Sequence, residues 1–485
     1  MENGINVEKL CKDRVFYYFY QISQIPRKSG YEKKISNYLY DWAKKRGFFV
    51  VQDKNNNVFI RKGKAGTGEC KVLLQAHMDM VCEKTIDSKH NFQKDPILWK
   101  IEGDYLTSRE GTTLGADDGI GMALALAVLE DEKLDISTIE VLFTTSEEED
   151  LSGAQEFDMS CVEAPFLVNL DHTNAKEILC GSCGGIGVEM QIPIEWIEVP
   201  NGWITYQLSV TGLKGGHSGE EIAAGNGNAN RILARLLLEL KEREDYKLCK
   251  IKGGNFRLSI AREAYCHIVM SENNEKSLVT FIKNFEKTIK EEYESAAKNI
   301  KISIEKKKCS YRQCCKAEKI IFAALYSPDG IFEMSSDRKG DVNASDNFGE
   351  WYLDEKGCKM LYEIRTLYAS SCDFLQMLFE KFAENLGAKC TFFSSYPSWN
   401  YQKKSRLREI AQNVYRETYK ENPRIYCVHA GLECGCFFQK REDIDGISIG
   451  PDCWNLHSPE EKLSISSVKI FYKMLQRILQ KCYEK

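Results

Sequence analysis

Histidine and acidic side chains come directly after three short apolar runs of this chain. The first run ends at His77 and Asp79. The second leads into Glu147 and Glu148, and the third ends at Asp171. Short apolar runs of this kind predict buried strands of a parallel sheet, and open α/β sheets bind ligands at the carboxyl ends of their strands. Because imidazole and carboxylate groups are metal ligands, the pattern predicts a hydrolytic site with two metal ions.

Two further groups lie elsewhere in the sequence. Asp117 and Asp118 precede an Ala-, Leu- and Met-rich segment, 119–130, which is typical of a buried helix. Anionic side chains suit the start of a helix, and Asp118 is expected to cap it or to support the ligands instead of binding a metal. His457 follows a fourth apolar run, 446–450.

Spacing predicts roles for two adjacent pairs. His77 and Asp79 are two residues apart, so on a strand they share one face. The carboxylate can then orient the imidazole by accepting its second ring proton. Glu147 and Glu148 are neighbours, so one can face a metal while the other faces the substrate. Glu147 as general base could contribute about 10²–10⁴-fold in rate.

Charge balance also favours two ions. The charge of two Zn²⁺ ions would be offset by Asp117, Glu148 and Asp171 together with one bridging hydroxide, provided that both imidazoles are neutral. Coordination lowers the pKa of water from about 15.7 to roughly 7, so that hydroxide forms at neutral pH.

Composition restricts the class of protein. The 485 residues carry 66 basic and 71 acidic side chains, a net charge of -5, which argues against a nucleic-acid or anionic-membrane partner. No run approaches the roughly 20 apolar residues of a membrane span, and the first residues lack the features of a signal peptide. The 19 scattered cysteines are expected to be reduced thiols of a cytoplasmic protein.

Alternation of helix and strand predicts an α/β fold in three segments. Residues 1–187 are expected to form the first part of a layered catalytic domain, with a mixed, mostly parallel sheet and helices on both faces. Residues 188–395 read as an inserted α+β lid domain, and residues 396–485 return to the catalytic domain. The insertion explains why His457 is so distant in sequence from its expected partners.

Five motifs are shared with a known family. They are QAHMDMV (75–81), GTTLGADDGIG (111–121), GLKGGHSG (212–219), HAGLECG (429–435) and HSPEE (457–461). Over nearly its whole length the chain resembles the cytosolic dinuclear zinc dipeptidases of the aminoacyl-histidine (Xaa-His) or non-specific type, often called peptidase D.

The resemblance implies a role for each residue of the constellation. It places His77 and Asp171 on one zinc ion and Glu148 and His457 on the other, with Asp117 bridging them. Co²⁺ or Mn²⁺ could replace zinc. The remaining implied features are orientation of His77 by Asp79, a general base at Glu147, and a cis peptide bond after Asp117.

The lid residues are also implied by resemblance. His217 would stabilise the oxyanion of the substrate carbonyl. Arg365 would hold the C-terminal carboxylate of a dipeptide, which would set the length limit. Leu258 departs from the family, which usually has Asn there, so one substrate hydrogen bond is expected to be lost; Ser259 could compensate.

Other histidines are weighed individually. His429, with Glu433, could line the substrate pocket or simply anchor a turn, and the sequence leaves both open. His90, His172 and His267 are expected to be structural.

Together these features predict zinc-dependent hydrolysis of dipeptides, of Xaa-His type or of broad specificity, by a metal-bridging hydroxide with a Glu general base. A related N-acyl amino acid amidohydrolase is the nearest alternative, and a non-catalytic metal-binding protein on this scaffold is another. Activity on free dipeptides against N-acetyl amino acids separates the first two. A homodimer is compatible with the resemblance.

Overall fold

The structure is a computed structural model that describes residues 6–272, 275–308 and 311–484. The α-helices in this part of the chain are α1 (Val7–Leu10), α2 (Arg14–Ser23), α3 (Lys33–Lys45), α4 (Ala116–Glu130), α5 (Ser152–Glu156), α6 (Ala229–Lys241), α7 (Glu275–Tyr293), α8 (Glu318–Tyr326), α9 (Ala369–Leu386), α10 (Arg406–Tyr419), α11 (Cys434–Lys440) and α12 (Ile465–Tyr483). Short 3₁₀ turns lie at Met159–Cys161, Ile222–Ala224 and Glu294–Ala297.

The first strands of the chain are β1 (Phe49–Gln52), β2 (Val58–Lys62), β3 (Val72–His77), β4 (Trp99–Glu102), β5 (Tyr105–Ser108), β6 (Ile139–Thr144), β7 (Phe166–Asn169), β8 (Glu177–Ser182), β9 (Gly184–Ile192), β10 (Trp196–Glu198), β11 (Trp203–Thr211) and β12 (Tyr246–Gly253). The later strands are β13 (Ala264–Ser271), β14 (Lys301–Lys306), β15 (Gln313–Cys315), β16 (Gly330–Met334), β17 (Val342–Asp354), β18 (Gly357–Thr366), β19 (Lys389–Tyr396), β20 (Arg424–Val428), β21 (Asp445–Ser448), β22 (Cys453–Trp454) and β23 (Lys462–Ser464).

The chain divides into two compact units, each with its own hydrophobic core. The first unit contains the described residues up to Ser182, then Trp399–Cys427, and then the chain from Leu432 onward. The second unit contains Cys183–Ser398 and Val428–Gly431.

An eight-stranded mixed sheet organises the first unit, in the order β1-β2-β6-β3-β7-β21-β8-β20. The four strands in its middle, β6, β3, β7 and β21, run parallel to one another. Strands β1 and β2 add an antiparallel edge on one side. A smaller antiparallel sheet, β22-β23-β5-β4, completes the unit. The α/β class predicted from the sequence is confirmed.

The central parallel strands are covered on both faces. Every residue of β3 and β6 is buried, as expected of strands packed between helical layers. Helix α4 lies between β3 and α2. Its Ala- and Leu-rich sequence has no polar face because nearly all of its residues are buried.

The second unit is built on an antiparallel sheet. In the described residues the main path is β14-β11-β13-β12-β17-β18-β9-β19, with β10, β15 and β16 attached beside it. Helix α6 packs against this sheet through a stripe of buried leucines, Leu233, Leu236, Leu237 and Leu240. This unit has the α+β composition expected for the inserted segment.

Element ends differ from the sequence predictions in two places. Helix α4 begins at Ala116, before the predicted start at 119, and its first turn is interrupted by non-helical backbone at Asp117 and Asp118. The fourth apolar run pairs only as far as Ser448. In the described part of the chain, no helix is both long enough and apolar enough to cross a membrane.

Candidate active site

The side chains predicted to bind metal meet at one edge of the first unit's sheet. His77 is the last residue of β3, Glu148 follows the end of β6, and Asp171 follows the end of β7. Since β6, β3 and β7 are parallel neighbours, their carboxyl ends lie side by side. The parallel order of the strands therefore gathers residues that are up to about a hundred positions apart.

Asp117 stands between the two histidines. Its Oδ1 lies 3.0 Å from His77 Nε2, and its Oδ2 lies 3.2 Å from His457 Nε2. His457 Nε2 is also 2.9 Å from Glu148 Oε1, and His77 Nε2 is 3.6 Å from Asp171 Oδ1. One carboxylate thus presents one oxygen to each imidazole, which is the geometry of a group shared between two cation subsites.

The donor atoms fall into three overlapping groups, within each of which they lie no more than 4.8 Å apart. The groups are His77 with Asp117 and Asp171, His77 with Glu147 and Glu148, and Asp117 with Glu148 and His457. Imidazole nitrogen and carboxylate oxygen are the donor set of a catalytic zinc site. The residues present therefore fit a pair of such ions.

Electrostatics in this cluster show an excess of negative charge. Burial and the neighbouring Asp117 raise the pKa of Asp171 to about 8. Hydrogen bonds with Asp117 and Glu148 raise the pKa of His457 to about 11. Burial alone would lower the pKa of His77, but Asp171 and Asp117 raise it well above its usual value. Protons or divalent cations can offset such an excess, and metal ions compete with protons for these same atoms.

The imidazole of His77 is oriented through its other nitrogen. Nδ1 lies 3.2 Å from the main-chain oxygen of Asp79 and 3.5 Å from that residue's Oδ1. Donation of the Nδ1 proton to Asp79 leaves Nε2 with a free lone pair directed at Asp117 and Asp171. The main-chain oxygen is the nearer acceptor, a contact that side-chain spacing does not reveal.

The carboxylate of Asp79 also holds the loop that carries the glutamates. It accepts the main-chain N–H of Glu147 at 3.0 Å and that of Glu148 at 3.2 Å. Ser29 donates its hydroxyl to the same carboxylate at 2.8 Å. Ser146, just before these glutamates, has a left-handed φ of 56°, which costs energy for a residue other than glycine. Asp79 therefore connects the loop after β3 with the loop after β6.

Asp118 forms hydrogen bonds with main-chain groups next to the cluster. The peptide bond between Asp117 and Asp118 is cis, as the resemblance implied. Asp118 is buried, and its carboxylate accepts the main-chain N–H of His77 at 3.2 Å and that of Gly121 at 3.0 Å. The bond to Gly121 is that of a helix cap, as expected from the sequence.

His217, in the second unit, is held as a neutral hydrogen-bond donor. Its Nδ1 accepts the main-chain N–H groups of Gly219 and Glu220, at 3.3 and 3.1 Å. Burial, followed by the charge of Arg365, lowers the pKa of His217 to about 4. Since Nδ1 is an acceptor in a neutral ring, Nε2 must carry the proton.

Arg365 lies beside that proton. Its Nη2 is 3.4 Å from His217 Nε2, and because both atoms are donors the contact is not a hydrogen bond. Its Nη1 donates to Tyr396 OH at 2.6 Å, and Tyr396 OH in turn donates to Glu363 at 3.2 Å. Ser218 Oγ accepts from Arg365 at 3.2 Å. Two donors fixed this close together can both bind oxygen atoms of one ligand.

Each ring nitrogen of His429 has a hydrogen-bond partner. Nδ1 lies 2.9 Å from Cys183 Sγ and Nε2 lies 2.6 Å from Ser345 Oγ. Burial, followed by the charge of Arg365, lowers the pKa of His429 to about 3. These contacts hold the 428–431 segment within the second unit, which is the geometry of an anchor.

Glu433 is buried in the first unit. One carboxylate oxygen accepts from Gln75 and the other accepts the Thr144 hydroxyl at 2.6 Å. Both partners belong to the central strands β3 and β6. The carboxylate therefore links β3 to β6 near the ends of these strands that lead to the cluster.

The segment with the unusual leucine packs beside His217. The main-chain oxygen of Leu258 accepts the N–H of Ser218 at 3.0 Å, and Asn347 donates to the main-chain oxygen of Ser259 at 2.9 Å. The two residues are fixed here by their backbone, with Leu258 half-buried.

Comparison with known proteins agrees with this arrangement. A family model described as Peptidase family M20/M25/M40 matches residues 73–481. The chain is also 35% identical over 466 residues to the cytosol non-specific dipeptidase of Escherichia coli (strain K12), covering 95% of this chain and 96% of that protein. The chain belongs to peptidase family M20/M25/M40. The membership predicted from the five motifs is confirmed, and the chain is a hydrolase of a peptidase family.

Two solved structures are similar to this chain over nearly its whole length. The aminoacylhistidine dipeptidase from Vibrio alginolyticus is 34% identical, with a TM-score of 0.88 over 98% of both chains. Aminopeptidase PepT from Bacillus cereus ATCC 10987 is 14% identical, with a TM-score of 0.55 over 99% of this chain and 100% of that one. At that identity the second comparison shows the fold alone.

The remaining histidines of this M20 peptidase have structural partners. His90 Nδ1 lies 2.9 Å from Glu110, and His267 lies 2.5 Å from the Tyr311 hydroxyl. His172 lies 3.4 Å from Glu177. Each of the three therefore has a side-chain partner, and the expectation that they are structural stays a prediction.

Several supporting residues of this M20 site were not found from the sequence. Arg27 and Ser29 lie in the loop before α3, where nothing in their spacing indicates a contact with the ligand loops. Tyr396 lies at the end of β19, far in sequence from Arg365. Glu461 was visible as part of the HSPEE motif, but the sequence alone gave it no role.

Proposed function

We propose that this chain is a two-zinc dipeptidase acting in the cytoplasm. The observation that carries the proposal is the placement of Asp117, whose two carboxylate oxygens each lie within 3.2 Å of a different imidazole. Relatives that match nearly the whole chain are named as dipeptidases. Those two observations agree on a metal-dependent peptidase of small substrates.

We assign the ligands as follows. One zinc ion would be held by His77 and Asp171, the other by Glu148 and His457, with Asp117 shared. When bound, zinc ions lower the pKa of a water molecule to roughly 7 and polarise a carbonyl group.

Glu147 is the general base in this proposal. It belongs to the same group of donor atoms as His77 and Glu148, and burial raises its pKa well above the usual value. A carboxylate of raised pKa is a better proton acceptor at neutral pH. Glu147 would take the proton of the attacking water and pass it to the leaving amine.

His217 and Arg365 would recognise the substrate. The neutral His217 ring presents Nε2–H, and Arg365 presents a permanently charged donor beside it. A hydrogen bond from Nε2–H would stabilise the oxygen of the scissile carbonyl as it gains negative charge. The guanidinium would bind the substrate's terminal carboxylate, and a dipeptide is the peptide whose carboxylate lies one residue beyond the scissile bond.

The sharpest test of this mechanism is Glu147→Ala. The variant should keep two zinc ions per chain, because the five proposed ligands are intact, while kcat falls by about 10²–10⁴-fold. Bound zinc and dipeptide turnover are measured on the same sample. The matched control is Glu149→Ala, an exposed acid two residues on, which should keep both. Near wild-type turnover in Glu147→Ala would show that the base is another group.

A further inference from the structure

Glu461 is buried, and within the described residues its carboxylate accepts hydrogen bonds from main-chain N–H groups alone. Its Oε2 accepts the N–H groups of Leu114 and Gly115, at 2.7 and 2.9 Å. Its Oε1 accepts that of Ala116 at 2.8 Å and, more weakly, that of Asp117 at 3.4 Å. Four successive amides that end at the shared aspartate are thus fixed by one side chain.

The same side chain is tied to His457. Two hydrogen bonds close the turn that contains His457. Ser458 Oγ donates to the main-chain oxygen of Asn455 at 2.7 Å, and the Asn455 side chain donates to the main-chain oxygen of Glu460 at 3.3 Å. Asn455 and His457 both have left-handed φ values, 56° and 57°. Such a turn has little freedom to change its shape, so the placement of Glu461 also fixes that of His457.

Arg27 completes the connection on the other side. It donates to the main-chain oxygens of Met78 and Asp79, at 3.0 and 2.7 Å, and also to that of Gly115. Gly115 is therefore held at its N–H by Glu461 and at its carbonyl oxygen by Arg27. Gly115 has a φ of 70°, and a Cβ there would meet the guanidinium, so glycine is required at this position.

We propose that Glu461 is a positioning residue that sets Asp117 against His457, so that the two cation subsites form together. The inference rests on the proposed metal centre. Helix capping alone would also use these amides, but it would not join the shared ligand to the loop of the second histidine. Because Asp117 serves both subsites, a displaced loop at 114–117 weakens both at once.

The test is a Co²⁺ titration of the metal-free full-length chain, followed by visible absorption. Glu461→Gln replaces one acceptor oxygen by an NH₂ group that faces N–H donors. Both Co²⁺ affinities should fall in parallel by about 10–100-fold, as is typical for partners that support metal ligands. Asp171→Asn should weaken one subsite preferentially, and Glu460→Gln, an exposed neighbour, should match the wild type.

Two results would overturn the positioning role. One is a Glu461→Gln chain that binds two Co²⁺ ions with wild-type affinity, and the other is loss at one subsite only. If the wild type itself bound no Co²⁺, the proposed metal centre would fail instead, so the two failures are distinct. If Glu461→Gln does not fold, hydrogen exchange in the metal-free wild type tests the positioning role instead. Amides 114–117 should exchange slowly there, and rapid exchange would contradict the role.

Discussion

Single residues of the second unit are arranged so that donors face one another. Arg365 Nη2 and His217 Nε2 lie 3.4 Å apart without a hydrogen bond between them. Tyr396 and Ser218 hold the guanidinium from other directions. These donors need not reorganise when a ligand arrives. We therefore expect the carboxylate of the substrate to contribute strongly to binding.

Arg365→Lys tests that expectation. A lysine keeps the charge but loses the planar fork that matches a carboxylate. Loss of hydrogen bonds to a charged group, about 1.5–3 kcal/mol each, should raise the KM for dipeptides by roughly 10–150-fold. Steady-state kinetics provide the measurement, with the exposed Arg243→Lys as control. An unchanged KM, or an equal loss with dipeptide amides, would exclude carboxylate binding by Arg365.

His429 gives the stability of the protein a defined pH dependence. Its pKa of about 3 in the folded protein lies below the value of about 6.5 expected in an unfolded chain. Between these values only the unfolded chain binds the proton, so the free energy of unfolding decreases as the pH falls. The slope is about 1.4 kcal/mol per pH unit.

Urea unfolding of the wild type and of His429→Gln between pH 6 and 4 measures this slope. The variant lacks the titrating ring, so its stability should fall less steeply by about 1.4 kcal/mol per pH unit. Parallel curves for the two proteins would show that His429 is protonated in the folded state.

At the scale of elements, the sheet of the first unit supports the site through its buried middle. Leu142 on β6 is fully buried, whereas Val51 on the edge strand β1 is 42% exposed. Leu142→Ala should lower the free energy of unfolding by about 2–5 kcal/mol. Val51→Ala should change it by less than about 0.5 kcal/mol. Thermal unfolding measures both changes. Equal effects would contradict the expectation that the central strands contribute more to the free energy of unfolding than the edge strand does.

Elements with a strong pattern could be predicted from the sequence. The buried strands before His77 and Asp171 were visible because their apolar runs are continuous and end in residue types that can bind metal. Glu147 and Glu148 could be placed for the same reason. Helix α4 was predicted from its composition, but its start was misplaced because Ala116 and the two aspartates carry no apolar pattern.

The supporting contacts could not be predicted, because they are made by main-chain atoms. Arg27 binds three main-chain oxygens and Glu461 binds main-chain amides. Main-chain atoms are the same in nearly every residue type, so neither spacing nor composition indicates which of them will be bound. Asp79 illustrates the same limit, since its main-chain oxygen is nearer to His77 than its carboxylate is.

At the scale of the whole molecule, an inserted unit separates the proposed ligands in sequence. The first unit returns at Trp399 and contributes His457 from its last segment, while the second unit holds His217 and Arg365 on a separate antiparallel sheet. We propose that this division separates two tasks, with metal chemistry in one unit and substrate recognition in the other. Each unit has its own core, so substitutions in one need not disturb the fold of the other.

The most direct measurement is bound zinc per chain, determined on the same sample as the rate of dipeptide hydrolysis. We expect two zinc ions in the active protein, no hydrolysis after chelation, and recovery of the rate as two equivalents of zinc are returned. A folded, metal-free chain that hydrolyses dipeptides at the full rate would contradict the account. So would a fully active protein that binds fewer than two ions.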